Sequence, residues 1–171
     1  MRWIALGVVL GISVTTLGCG YALVGTASNI PEHIKTIFVE PMENRTQRTE
    51  VEQRLTRAVA TELVTRRRFE VVNDPATADS TLGGEVLAFQ VQPLSFDGQG
   101  RAQEYQITIT AKMVFKEVAT DEVLWKNDQY IVKELYPVDP GADYFNQEDL
   151  AIDEAARTFA STLVIDLLEG F

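Results

Sequence analysis

The sequence predicts an α+β fold, with two helices packed on one face of a mixed, mostly antiparallel sheet of four to five strands. Three observations predict it. Tyr105, Ile107, Ile109, Ala111, Met113 and Phe115 alternate with Gln106, Thr108, Thr110, Lys112 and Lys116, the period of a strand with one buried face. Val51, Leu55, Ala58, Val59 and Leu63 fall at helical spacing, and Leu150, Ala155, Phe159, Leu163 and Leu167 form a second stripe. The order strand, helix, run of strands, helix then closes an open sheet with both helices on one side. The other face is expected to be more polar and free for a partner.

In chain order, Ile34–Val39 is the first strand, stopped by Pro41. Asn44 or Thr46 is expected to cap the helix that follows, and Arg66-Arg67-Arg68 end it, where cations suit the carbonyl-rich terminus. Phe69–Val72 is a second short strand and Asn73-Asp74-Pro75 a turn. A third strand runs from about Leu82 to Val91, with Gly83-Gly84 marking a bulge or a close backbone approach. Pro93–Gln103 reads as a polar loop. The alternating strand Tyr105–Phe115 follows, then a turn at Ala119-Thr120-Asp121 and an antiparallel strand over Val123–Glu134. Pro137, Pro140 and Gly141 make a loop before the closing helix, about Gln147–Leu168.

Leu17-Gly18-Cys19-Gly20-Tyr21 divides the chain. Before it, Met1-Arg2 is a short positive region and Trp3–Val14 an apolar run, the layout of a signal peptide and too short for a confident membrane span. Residues 1–18 are therefore expected to be the signal, 19–33 a lipidated N-terminus and linker, and 34–171 one α+β domain. Cys19 is the only cysteine. Two readings fit it: a thiol diacylated and then exposed by cleavage, as in bacterial lipoproteins, or a stray cysteine after an ordinary secretory signal. Thr16 stands where lipoprotein sites usually carry Leu, with Leu17 one place late. An unpaired cysteine in an exported chain nevertheless favours lipidation. Several acyl chains at ~0.8 kcal/mol per buried CH₂ would hold the domain on a bilayer. Gly20, rather than Asp, after the cysteine resembles the sorting signal for the outer membrane.

The chain has 171 residues and a formal net charge of −10. That balance argues against nucleic acid as a partner and against adsorption to an anionic membrane surface. His33 is the only histidine and is expected to be solvent-exposed, so Ser-His-Asp and Cys-His sites have little to build on. There is no CxxC, HExxH, P-loop or GxGxxG motif; no cofactor or metal is expected, and the chain does not read as an enzyme. A two-carboxylate hydrolase is not excluded by counting, but the carboxylates fall mainly on predicted helix faces and loops. Asp79 reads as a turn or capping acceptor. Trp125 and Tyr130 could stack on a sugar or a partner, though sheet packing is the stronger reading. The Arg66–Arg68 run reads better as a solvated helix end than as a phosphate site.

Cys19-Gly20-Tyr21-Ala22-Leu23 resembles the mature start of the LptE family of lipopolysaccharide-assembly lipoproteins. The resemblance continues through Ile34-Lys35-Thr36-Ile37, Pro41-Met42-Glu43-Asn44-Arg45-Thr46, Ala78-Asp79-Ser80-Thr81-Leu82-Gly83-Gly84, Tyr105-Gln106-Ile107 and Val123-Leu124-Trp125. It covers nearly the whole mature chain, although the Ala-Asp-x-x-Leu-x-Gly pattern also recurs in other periplasmic lipoproteins. It implies a non-enzymatic protein, anchored to the outer membrane and facing the periplasm or a barrel lumen. Such a protein plugs and helps assemble the LptD barrel and takes part in delivering lipopolysaccharide to the outer leaflet. Contact with lipopolysaccharide phosphates would need local cations, for which Arg101, Lys112, Lys116, Lys126 and Lys133 are the candidates. The alternatives are another outer-membrane lipoprotein, such as a cell-wall synthase activator or a secretion-channel component, or a lipid-anchored hydrolase.

Overall fold

The computed structural model describes residues 30–138 and 144–169. The signal segment, Cys19, and Pro140 and Gly141 lie outside the described residues. The elements are β1 (Thr36–Val39), β2 (Glu43–Asn44), α1 (Val51–Arg66), β3 (Glu70–Val71), β4 (Ser80–Phe96), β5 (Ala102–Glu117), β6 (Val123–Pro137) and α2 (Tyr144–Glu169).

The sheet has six strands in the order β3-β1-β4-β5-β6, with β2 also paired to β4. β1 runs parallel to β3 and β4, β2 runs parallel to β4, and β4-β5-β6 form an antiparallel meander. The sheet is therefore mixed rather than mostly antiparallel, and it holds more strands than expected. The added strand is β2, two residues long and too short for any periodicity to show, while β3 falls within the strand expected over Phe69–Val72. β1 and β2 form one interrupted ribbon along β4. Pro41 separates them, while Glu40 N–H donates to Leu82 C=O before the break and Arg45 N–H to Val86 C=O after it.

Both helices pack on one face of this sheet and against each other. Val51, Leu55, Val59 and Leu63 of α1 are buried in the same core as Ile37 and Leu82, and Ile107, Ile109, Ala111, Met113 and Phe115 of β5 are all at or near zero exposure. Full burial of one such side chain is worth ~1.5–3 kcal/mol, so the β5 face anchors the fold. Ile152, Ala155, Phe159, Leu163 and Leu167 bury the sheet side of α2, but Leu150 is 69% exposed. Its place in the expected stripe is a correction. At ~100° per residue, nine residues set Leu150 half a turn from Phe159, whereas Ile152, seven residues away, is nearly in line.

Local chemistry differs from expectation at two further places. Asn44 and Thr46 do not cap α1. They build the turn before it: Thr46 N–H and Oγ1 donate to Asn44 Oδ1, Arg48 N–H donates to Thr46 Oγ1, and Asn44 Nδ2 donates to Arg48 C=O and Glu52 Oε2. Glu50 occupies the N-cap with φ 66° and no side-chain cap. The expected loop Pro93–Gln103 is mostly sheet, since β4 continues to Phe96 and β5 resumes at Ala102. Asp97 makes the tight connection possible. Its Oδ1 accepts from Gln99 N–H and Arg101 N–H, its own N–H donates to Arg101 C=O, and Gly100 takes φ +78°. Pro137, expected in a loop, is the last residue of β6.

Candidate functional site

The face of the sheet turned away from the helices is the candidate site. Because directly opposed residues share a face, the register defines it. Thr108, Thr110, Lys112, Val114 and Lys116 point away from the buried residues of β5. Gln90 and Glu85 lie opposite them on β4, and Lys133, Ile131 and Lys126 on β6. Lys112, Lys116, Lys126 and Lys133 are thereby brought onto one open surface. At ~3.4 Å per residue, Lys112 and Lys116 stand ~13 Å apart along β5, with Lys126 on the neighbouring strand between their rows and Lys133 ~13 Å beyond Lys112.

Their charges are only lightly held. Lys116 Nζ lies 3.3 Å from Asp121, Lys126 Nζ 3.6 Å from Asp128 and Lys112 Nζ 3.9 Å from Glu85. These are exposed pairs of the kind worth ~0–1 kcal/mol, readily exchanged for another anion. Glu85 is also shared with Arg45, which bridges it to Glu43. Among the described residues Lys133 has no carboxylate within ion-pair distance. The four lysines thus lie on the β5–β6 side of the face, two of them beside Asp121 and Asp128, while Glu40, Glu43 and Glu85 lie toward β2.

Arg101 is not part of this group. It sits in the β4–β5 turn and holds that turn, with Nε donating to Asp97 Oδ2 at 2.8 Å. The Arg101 backbone and guanidinium together keep the Asp97 carboxyl below the usual range. The row of Ala102 is six residues beyond that of Lys133, or ~20 Å along the strand.

At the opposite end of the sheet, Asp79 is the structural acceptor its position suggests. Its Oδ2 accepts from Thr36 N–H and Lys35 N–H, both at 2.8 Å, while its own N–H donates to Thr36 Oγ1. The bonds from Thr36 and then Lys35 hold its carboxyl below the usual value. His33 is 63% exposed at its side chain, as expected, but its Nε2 also lies 2.6 Å from Glu117 Oε1. Thr120 Oγ1 donates to the other oxygen of Glu117, and these two contacts, the hydroxyl first, lower its pKa. The segment entering β1 is thus fastened to the β5–β6 turn, a tie no sequence motif announces.

Trp125 and Tyr130 pack rather than protrude. Tyr130 is buried edge-on against Phe159 and Trp125, and its hydroxyl donates to Asp166 at 2.8 Å. Burial, and then Asp166, push the phenol well above its ordinary pKa. The arginine run ends α1: Arg66 pairs with Glu62, Arg67 is the left-handed C-cap, and Arg68 covers the Phe69 ring. Among the described residues no group of His, Cys, Asp or Glu is arranged to hold a metal ion. No helix there is long and apolar enough to cross a membrane.

Solved structures share this architecture. Protein XCC0632 from Xanthomonas campestris superposes with a TM-score of 0.59 at 14% identity, covering 82% of this chain and 87% of that one. Rare lipoprotein B from Shewanella oneidensis gives 0.51 at 15% identity, covering 78% and 95%. A minor lipoprotein from Acinetobacter baumannii gives 0.51 at 10%, covering 80% and 94%. At such identities the likeness is one of fold. No curated protein matches at the level of sequence. The family described as LptE, lipopolysaccharide-assembly, matches residues 34–167. That match spans β1 to the last turn of α2, so the chain belongs to the LptE family of lipopolysaccharide-assembly lipoproteins.

Proposed function

We propose that this protein is anchored to the outer membrane through acylated Cys19, sits inside an LptD-like β-barrel that it helps to assemble, and assists delivery of lipopolysaccharide to the outer leaflet. Residues 1–18 are then the signal, 19–33 the lipidated tether and 34–171 the working domain, with no catalytic step. The observation that carries the reading is the lysine surface of β5 and β6, exposed and weakly paired on a chain of net charge −10. Such a surface can exchange its partners for lipid phosphates without disturbing the core on the other side of the sheet. A plug also needs polar surface toward a water-filled lumen, which the Thr, Gln and Lys rows supply.

The test is lipopolysaccharide binding by the purified chain as salt is varied. Charge reversal at Lys112, Lys126 and Lys133 together should weaken binding and flatten its salt dependence, while Arg57→Glu on the helix side should not. Equal binding by both variants would remove the lysine surface from the mechanism.

A further inference from the structure

We propose that the free edge of β6 is a strand-addition site that receives an extended luminal loop or terminal segment of the barrel partner. This rests on the barrel reading given above and adds where, and by which backbone groups, the two proteins join.

β6 is fifteen residues long and ends the sheet, with β5 on one side and no strand among the described residues on the other. The ladder phase shows which of its backbone groups are spare. Val138 N–H donates to Gln103 C=O at 2.8 Å. In the same register the hydrogen-bonded pairs are Tyr136 with Tyr105, Glu134 with Ile107 and Val132 with Ile109. In an antiparallel ladder the residues between these pairs direct both N–H and C=O away from the neighbour. Those residues are Ile131, Lys133 and Leu135, with Pro137, which has no N–H, closing the row. Three donors and four acceptors therefore face the open edge at a two-residue spacing.

The side chains agree. A long edge strand is normally blunted by charge, brevity or cover. β6 instead leaves Ile131 and Leu135 about half exposed on either side of Lys133. Beside the same edge runs a mostly apolar groove of about 470 Å³ between β6 and the start of α2, lined by Leu135, Val138, Leu150 and Ala151 together with Glu134 and Glu154. Leu150, the most exposed large apolar residue described, sits there. An added strand would meet Ile131, Lys133 and Leu135 with alternate side chains and drop the others into this groove, the usual division of labour in strand addition.

Charge and topology select the occupant. Lys133 calls for a carboxylate opposite it. Over the regular stretch Tyr130–Pro137 a second copy supplies none, since the outward row there is Ile131, Lys133, Leu135 and Pro137. The other end of the sheet is β3, two residues long and unable to template an addition. The wall of a closed barrel has no free edge, so the occupant is a loop or terminal segment within it.

The experiment uses the full-length lipoprotein in native membranes, with photoreactive benzoylphenylalanine placed in turn at Ile131, Lys133, Leu135 and, as controls, at Thr61 and Arg157 on the helices. Cross-links to the barrel protein are expected from the edge positions. Lys133→Pro, which removes an outward N–H and no β5 bond, should cut co-purification of the barrel about tenfold or more relative to Lys133→Ala, a 1.4 kcal/mol effect. If Lys133→Pro fails to fold, the cross-link scan alone decides. Barrel recovery equal for the two variants, with cross-links only from the helices, overturns the inference and leaves the barrel reading standing. Edge cross-links to a second copy or to another protein also overturn it. Failure of the unmodified protein to bring down any barrel overturns the barrel reading itself.

Discussion

Replacing Gly84 by Ala should destabilise the fold far more than the same change one residue earlier. A Cβ built on Gly84 lies 2.1 Å from the Lys112 carbonyl oxygen and 2.8 Å from Met113 Sδ. The carbonyl is backbone of the paired strand, so relief requires β4 and β5 to part by ~1 Å in mid-ladder, an overpacking strain of ~1–3 kcal/mol or more. Loss of glycine freedom in the unfolded chain returns ~0.4–1 kcal/mol, leaving a net loss of ~2 kcal/mol. A Cβ on Gly83 instead meets the Glu40 side chain, nearest at its carboxylate oxygen, 2.5 Å away. That side chain is only half-buried and can swing aside, so Gly83→Ala should stay within ~1 kcal/mol of the parent. Urea unfolding followed by circular dichroism separates the two. With m of ~2 kcal/mol/M, Gly84→Ala should lower the midpoint by ~1 M. Equal midpoints for the two variants would refute the β4–β5 packing described here.

Ile109→Ala, at a fully buried position in the centre of β5, should cost ~2–5 kcal/mol by the same assay; a loss under ~0.5 kcal/mol would mean that its face is solvent-exposed. Asp79 accepts two backbone N–H groups, so Asp79→Ala should lose ~1–3 kcal/mol at neutral pH. Its carboxyl is held below the unfolded value of 3.8, so the unfolded chain takes up the proton first. The stabilisation is complete above that value and is lost as pH falls through the folded one. Asp79→Asn should therefore flatten the acid limb of the stability profile, and an unchanged limb would contradict the assignment. Cys19→Ala should abolish palmitate labelling and leave an uncleaved precursor or a protein released to the periplasm; normal labelling would end the anchor proposal.

How much of this was legible from sequence depended on the range of each signal. β5 was plain because burial of one face imposes period two over many residues. The parallel pairing of β1 with β3 and β4 was not, since it joins segments more than thirty residues apart through only two or three register pairs each. The turn at Asp97–Arg101 was read as part of a loop because its polar residues hide how tightly Asp97 closes it. The lysine surface was half legible. Lys112 and Lys116 share a face by simple alternation, but Lys126 and Lys133 are separated by an odd number of residues and would fall on opposite faces of a regular strand. The bulge between Asn127 and Tyr130 realigns them, and nothing local in the sequence marks it. Asp79 was readable because an acidic residue just before a strand has few other uses. The β6 edge was missed because whether a strand is central or terminal depends on the whole topology.

The central claim, that this protein serves lipopolysaccharide assembly through a barrel partner, is tested most directly by depleting it in its native host and following two quantities together, correctly folded barrel in the outer membrane and lipopolysaccharide at the cell surface. Both should fall, and both should return with the unaltered gene. Unchanged barrel and unchanged surface lipopolysaccharide after depletion would contradict the account.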